Sequence, residues 1–228
     1  PVGATQLVGT TEVDGYIRIY AQIQDLIGTL QANGFDVWVV SASPQEVVET
    51  FAAHVGIPAD HVIGVQLLPD AEGRLSYDVA GCGPVADGEN TLLTYKLGKR
   101  CWINKVIFGD NTADAIAPRL EGKRQAFAAG DSDTDSVFVP DAAELRLVIN
   151  RNAPELMCHA YTGFGTPGSR WLINPMFIAP KSQQDAPYPC ATTACRDEAG
   201  NRVPCRSSAG EVIPDQVDRV FGGDAAPD

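Results

Sequence analysis

The stretch that most constrains this chain is residues 125–135, QAFAAGDSDTD. Four apolar residues run into Gly130, and Asp131, Asp133 and Asp135 follow within five positions. A short apolar run ending in glycine predicts a buried strand whose carboxyl end opens into a loop. Open α/β sheets bind their ligands at that edge. Three carboxylates crowded there repel one another unless a cation sits among them, and hard oxygen ligands suit Mg²⁺ or Ca²⁺. A calcium loop of the EF-hand kind also begins D-x-D-x-D. Here Ser136 stands at its sixth position, where glycine is needed, and Ala142 at its twelfth, where glutamate is needed. The calcium-loop reading is therefore weak.

The upstream pattern is helix, strand, serine, helix. Residues 1–14 are polar and without a clear period, as in a tail. Ile17, Ile19, Tyr20, Ile23, Leu26, Ile27 and Leu30 then fall mostly three or four apart, and Asn33-Gly34 closes that helix. Residues 35–40 (FDVWVV) are β-branched and aromatic, as in a parallel strand buried between helix layers. The strand runs out at Ser41-Ala42-Ser43-Pro44. Pro44 suits the first turn of a helix over 45–55, with Ser43 as its cap. Residues 62–65 form a further short strand, and the succession is that of an α/β protein.

Between 66 and 103 frequent turn signals predict β-hairpins at 74–79 and 91–96. Asn104-Lys105 opens a stretch that reads as helical toward Arg119, interrupted near 109–111. Residues 145–149 (LRLVI) read as another strand. Beyond 152 the chain is richer in Pro, Gly and Cys, with few periodic runs. Residues 163–168 (GFGTPG) match a dinucleotide fingerprint only formally, because no clear strand and helix flank them and Pro167 lies inside.

Composition sets the outer limits. The 228 residues suffice for one full core plus an appendage. A net charge of −12 with no basic stripe argues against a nucleic-acid or anionic-membrane binder. An acidic protein still binds phosphate where a cation and a lysine reverse the field locally. No run of eighteen apolar residues predicts a membrane span. The six cysteines include Cys190, Cys195 and Cys205 in one short stretch with no zinc spacing and no histidine nearby. They predict disulfides in a secreted or periplasmic protein, with the pairing open.

Three segments in order resemble the haloacid dehalogenase-like phosphatase superfamily. Residues 35–43 (FDVWVVSAS) resemble its second motif, a hydrophobic strand ending in Ser or Thr. Lys105 in WINKVI resembles the third. GDSDTD, whose Asp131 lies 26 positions after Lys105, resembles the fourth, G-D-x-x-x-D. The hairpin region resembles the phosphoserine phosphatase-like branch. The tail, with INRNAPELM and WLINPMF, is most similar to secreted phosphorylcholine phosphatase-type members.

The resemblance implies a Rossmann-like three-layer α/β core with a parallel sheet, a β-hairpin insertion and an irregular cysteine-containing extension. Residues 1–15 are then a tail or the remnant of a cap segment, 16–152 the core, and 153–228 the extension with disulfides. It further implies a Mg²⁺-dependent phosphomonoester hydrolase that works through an aspartyl-phosphate. Asp131 holds the metal, with Asp135 as second ligand or orienting group. Lys105 and Ser41 stabilise the phosphoryl charge, and Ala42 lies at a helix start that contributes backbone N–H groups. The family's first motif, a strand carrying D-x-D, is not found here. VIFGDNT, at 106–112, is similar only superficially. A complementing N-terminal segment or chain is therefore expected to supply the nucleophile, and this chain alone is not expected to be active. Two alternatives remain, a non-catalytic secreted phosphate- and metal-binding protein and a calcium-stabilised module. A choline headgroup could find an aromatic cage in Trp171, Tyr161 and Phe164, though core packing explains those rings as well.

Overall fold

The core is carried by two separate parallel sheets that face one another across a gap. The computed structural model describes residues 3–82, 93–197 and 199–223. The chain opens with an antiparallel hairpin, β1 (Thr5–Val8) and β2 (Thr11–Asp14), where a polar tail was expected. Helix α1 (Ala21–Ala32) follows and ends at Asn33, with Gly34 at φ +80° taking the left-handed conformation that glycine accepts readily.

Strand β3 (Val39–Pro44) pairs in parallel with β4 (Val62–Val65), Val39 opposite Val62 and Val40 opposite Ile63. The strand expected over 35–40 is thus hydrogen-bonded only from Val39, where β4 begins to face it. Between them lies α2 (Gln45–Ala52), continued by a 3₁₀ turn to Gly56. Ser43 does not cap this helix. Pro44 occupies the cap position at ψ 140°, and no side chain bonds the first turn. Gln45 instead reaches across to β4, donating to the Val62 carbonyl (3.0 Å) and accepting from the Gly64 N–H (2.5 Å). A methyl group on Gly64 would lie 2.6 Å from the Gln45 Cα, so helix and strand meet only because that residue is glycine.

The expected hairpin insertion is β5 (Leu67–Pro69) with β6 (Leu75–Val79), closed by an Asp70 carboxylate that accepts from the Glu72 and Arg74 amides. Part of the second expected hairpin, at 91–96, lies outside the described residues, and 93–96 are not a strand. The helix expected from Asn104 begins earlier, as α3 (Leu97–Trp102), and runs on through a π-helical turn over Ile103–Ile107. Leu97-Gly98, which reads as a turn signal, is its first turn. Tertiary contacts override the local preference there, since Lys99 and Cys101 are both buried.

The second sheet is β7 (Phe127–Gly130), β8 (Leu145–Asn150) and β9 (Trp171–Pro175), all parallel with β8 in the middle. Helix α4 (Pro154–Gly163) crosses from β8 to β9 and places Leu156, Met157 and Tyr161 in one cluster with Val148 and Ile173. The sheet therefore runs past residue 152 into the cysteine-rich region. That region is stapled to the core by Cys158–Cys190 and folded on itself by Cys195–Cys205, beside the short pair β10 (Cys195–Arg196) and β11 (Arg202–Val203). A third disulfide, Cys82–Cys101, pins the segment after β6 to α3. Buried Asp218 fastens the tail, accepting from the Tyr161 hydroxyl (2.6 Å), the Asn150 amide (2.9 Å) and the Gln184 N–H (3.0 Å).

Candidate active site

The carboxyl ends of β3 and β7 open into the same cavity, of about 910 Å³. Its polar end is lined by Ser41, Lys99, Asp131, Ser132 and Asp135. Strand β7 ends at Gly130, and the chain turns at once into a 3₁₀ turn over Asp133–Asp135. Gly130 is required there. A Cβ would stand 2.6 Å from the Asp135 Cβ and 2.9 Å from its Cγ.

The three aspartates of that turn do three different things. Asp135 is buried and organises the loop. One of its oxygens accepts from the Asp131 N–H (3.0 Å), the Ser132 N–H (3.1 Å) and the Ser132 hydroxyl (3.2 Å). The other oxygen pairs with the buried Lys99 ammonium at 2.6 Å. Asp133 turns the other way and accepts from the Glu155 and Leu156 amides (2.9 and 3.1 Å), capping α4 from outside that helix. Burial holds the Asp133 carboxyl above the usual carboxylate range, against the partial pull of the Leu156 and Glu155 amides. Only Asp131 points out to the mouth, in a half-exposed ion pair with Arg151 at 2.8 Å.

The loop is also braced from below. The Lys96 N–H donates to the Thr134 carbonyl (3.1 Å), and its ammonium pairs with Glu155 at 2.6 Å. Glu155 also accepts from the Ser136 hydroxyl at 2.6 Å. Lys96 itself has φ +47°, a left-handed conformation rare outside glycine, at the entry to α3.

Of the residues singled out in the sequence, Ser41, Ala42, Asp131 and Asp135 line this cavity and Lys105 does not. Lys105 lies on the π-helical turn with its ammonium 4.9 Å from the centre of the Trp102 ring. Lys99, nearly two helical turns earlier, brings the cation to the site instead. Its signal was the cluster Lys96, Lys99 and Arg100 in an otherwise acidic chain. Ser41 faces its own backbone, its hydroxyl accepting from the Ser43 N–H at 3.1 Å. Asp110, the aspartate of VIFGDNT, lies on a turn outside any strand. It accepts from Thr112 and pairs with Arg119, and the Thr112 bonds draw its carboxyl below the usual range.

Both Asp135 oxygens already have partners, one the Asp131 and Ser132 groups of the loop and the other the Lys99 ammonium, which is the arrangement of an orienting group. Asp131 is half-exposed at the mouth and could turn toward a metal by giving up its pair with Arg151. Among the described residues no group of three or more His, Cys, Asp or Glu gathers as a ready-made metal site. Magnesium in phosphate-ester sites is held by one or two carboxylates together with waters and substrate oxygens. Asp131 fits as one of those carboxylates.

The aromatic trio is not an open cage. The Arg219 guanidinium already lies 5.0 Å from the Tyr161 ring and 5.7 Å from Phe164, and Arg146 lies 5.5 Å from Trp171.

A family model for haloacid dehalogenase-like hydrolases matches residues 10–136, more than half of the chain. The chain belongs to that family. Among solved structures, it is similar to a conserved functionally unknown protein from Anaerococcus prevotii DSM 20548. The identity is 24% and the TM-score 0.52, over 69% of this chain and 38% of that one. A phosphoserine phosphohydrolase-like protein from Francisella tularensis subsp. tularensis SCHU S4 aligns at 16% identity and a TM-score of 0.38, over 59% of this chain and 52% of that one. The chain thus spans about 38% and 52% of the lengths of these two structures. No curated protein matches at a comparable level.

Proposed function

We propose that this chain is the phosphate-handling part of a Mg²⁺-dependent phosphomonoester hydrolase acting on a small phosphorylated metabolite. The observation that carries the reading is that Ser41, Lys99 and Asp131 converge on one cavity at the carboxyl ends of two parallel strands. A phosphate monoester dianion repels an attacking carboxylate, so its charge must be neutralised before the bond to phosphorus can form. The Lys99 ammonium, fixed by Asp135, supplies one positive charge in a largely buried setting. The Ser41 hydroxyl donates to a phosphoryl oxygen once turned from its own backbone, and N–H groups near Ala42 add donors. Mg²⁺ at Asp131 would supply further neutralisation of the bound ester. A carboxylate from a segment outside this chain attacks phosphorus as the bond to the ester oxygen breaks, and the departing alkoxide takes up a proton from solvent. Water then hydrolyses the aspartyl-phosphate.

The three disulfides fit an oxidising compartment, and we place the protein outside the cytosol on that chemistry. The tail's resemblance makes phosphorylcholine one ester to assay beside phosphoserine.

The test is turnover of p-nitrophenyl phosphate by the complete natural protein. Asp131→Asn should abolish the Mg²⁺-dependent rate, and an unchanged rate overturns the proposal. Lys99→Met should lower kcat by about 100-fold or more, as loss of a preorganised charge does. Lys105→Met should leave the rate near that of the parent. The alternative, a binding protein without catalysis, predicts Mg²⁺-dependent ester binding by calorimetry and no hydrolysis.

A further inference from the structure

We infer that Arg151 is a further phosphate-binding residue of this site, a guanidinium that yields Asp131 to the metal and turns to the phosphoryl group. Its ligand rests on the phosphatase reading, and its placement on the rim where β7 and β8 end.

The two strands are parallel neighbours, with Gly130 opposite Val148. Asp131 leaves the sheet one residue after that pair, whereas β8 continues to Asn150 and puts Arg151 on the same carboxyl edge. One guanidinium nitrogen stands 2.8 Å from an Asp131 oxygen, with the side chains 51% and 49% exposed.

The backbone on either side of Arg151 is fixed. Asn150 is buried and donates to the Asp218 carboxylate (2.9 Å) and the Val220 carbonyl (2.7 Å). Its side-chain oxygen accepts from the Asn152 N–H (3.0 Å). Asn152 takes φ +64°, a conformation that asparagine tolerates better than most residues. Its own side-chain oxygen accepts from the Tyr188 hydroxyl (3.3 Å), and the Cys158–Cys190 disulfide ties down the chain beside Tyr188. A turn held at both ends by buried groups thus delivers one long, half-exposed side chain to the mouth.

Stability does not account for that side chain, since exposed ion pairs contribute little. A guanidinium carries several N–H donors in a planar fork that suits phosphate. Among the described residues only Asp131 accepts from this one. Lys99 and Lys96 are committed to Asp135 and Glu155, at 2.6 Å each and largely buried. Arg151, by contrast, has donors to spare.

A cation beside Asp131 acts with opposite signs on the two ligands. It competes with Mg²⁺ for the carboxylate, and it attracts the phosphoryl dianion. Once Asp131 ligates, the fork of Arg151 is left to the phosphoryl oxygens.

Calorimetry on the complete natural protein tests this, first with Mg²⁺ alone and then with inorganic phosphate at saturating Mg²⁺. Arg151→Gln should bind Mg²⁺ about 2–5-fold more tightly, because an exposed pair no longer competes. It should bind phosphate about 5-fold or more weakly. Arg151→Lys keeps the charge and loses the fork, so its phosphate affinity should fall between those of the parent and Arg151→Gln. Arg170→Gln removes the same charge from an exposed pair with Glu144 at the opposite, amino edge of the sheet, and should change neither constant.

Weaker binding of both ligands, as a distorted rim would give, overturns the inference. So does an unchanged constant for either ligand in Arg151→Gln, an equal shift in Arg170→Gln, or a parent that binds no phosphate. Turnover of p-nitrophenyl phosphate is read separately on the same proteins. Arg151-dependent phosphate binding without turnover would leave the role of Arg151 standing and sink the phosphatase reading. Turnover with phosphate binding untouched by Arg151→Gln would do the reverse.

Discussion

The Lys99 ammonium sits 2.6 Å from an Asp135 oxygen, with both side chains less than a tenth exposed. Breaking a buried pair by removing one member leaves the other charge uncompensated, which costs about 3–5 kcal/mol. Lys99→Met is therefore expected to lower urea stability by about that much. Asp135→Asn keeps an acceptor for the loop amides while removing the charge, so Lys99→Met/Asp135→Asn should be more stable than Lys99→Met alone. Simple additivity of the two single effects would show that the pair is not coupled.

Gly130 and Gly122 make a matched comparison. Alanine at Gly130 would push its Cβ to 2.6 Å from that of Asp135, while at Gly122 nothing lies within 4 Å. Gly130→Ala should cost about 1–3 kcal/mol through overpacking, with loss of the site geometry. Gly122→Ala should stay within about 0.5 kcal/mol, as open-surface changes do. Equal thermal shifts for the two would contradict the close approach.

The disulfides should differ in worth. Cys158–Cys190 closes 32 residues and Cys195–Cys205 closes 10. Chain entropy assigns about 3.7 and 2.7 kcal/mol to loops of those lengths. Double serine variants, compared by denaturant midpoint, should fall in that order. The larger loss should release the tail that Asp218 fastens.

A pH dependence is expected at the edge of the first sheet. His61 bonds Asp60 at 2.9 Å and Asp36 at 2.7 Å, and chiefly the Asp60 bond, then Asp36, raises its pKa above the ordinary 6.5 against a lowering by burial. Its contribution is complete below pH 6.5 and is lost as pH rises through the higher folded value. Because both carboxylates are well exposed, the amount is below about 1 kcal/mol. Melting temperatures should fall slightly across that window in the parent and stay flat in His61→Gln.

Much of the fold could be read from the residues. The 62–65 strand is found as placed, and β7 and β8 lie within a residue or two, because apolar runs bounded by turns leave few choices. The start of α3 was hidden, since Leu97-Gly98 is a turn signal by composition and becomes helix only through a buried ion pair and a disulfide. Helix α4 and β9 were hidden behind Pro, Gly and Cys, whose local preferences yield to stapling. The same blindness explains Lys99. Which of several lysines meets a carboxylate depends on helix phase and on where the helix begins, and the start lay seven residues earlier than Asn104. The division of labour among three aspartates depends on loop rotation, which no spacing encodes.

Cys101 lies two residues beyond Lys99 on α3, and its sulfur is tied to Cys82. The helix that aims the ammonium is thus anchored by an oxidised bond rather than by packing alone. A preparation made in a reducing compartment would carry the right amino acids with its key cation loosely held, so the history of oxidation belongs in any comparison of specific activities between batches.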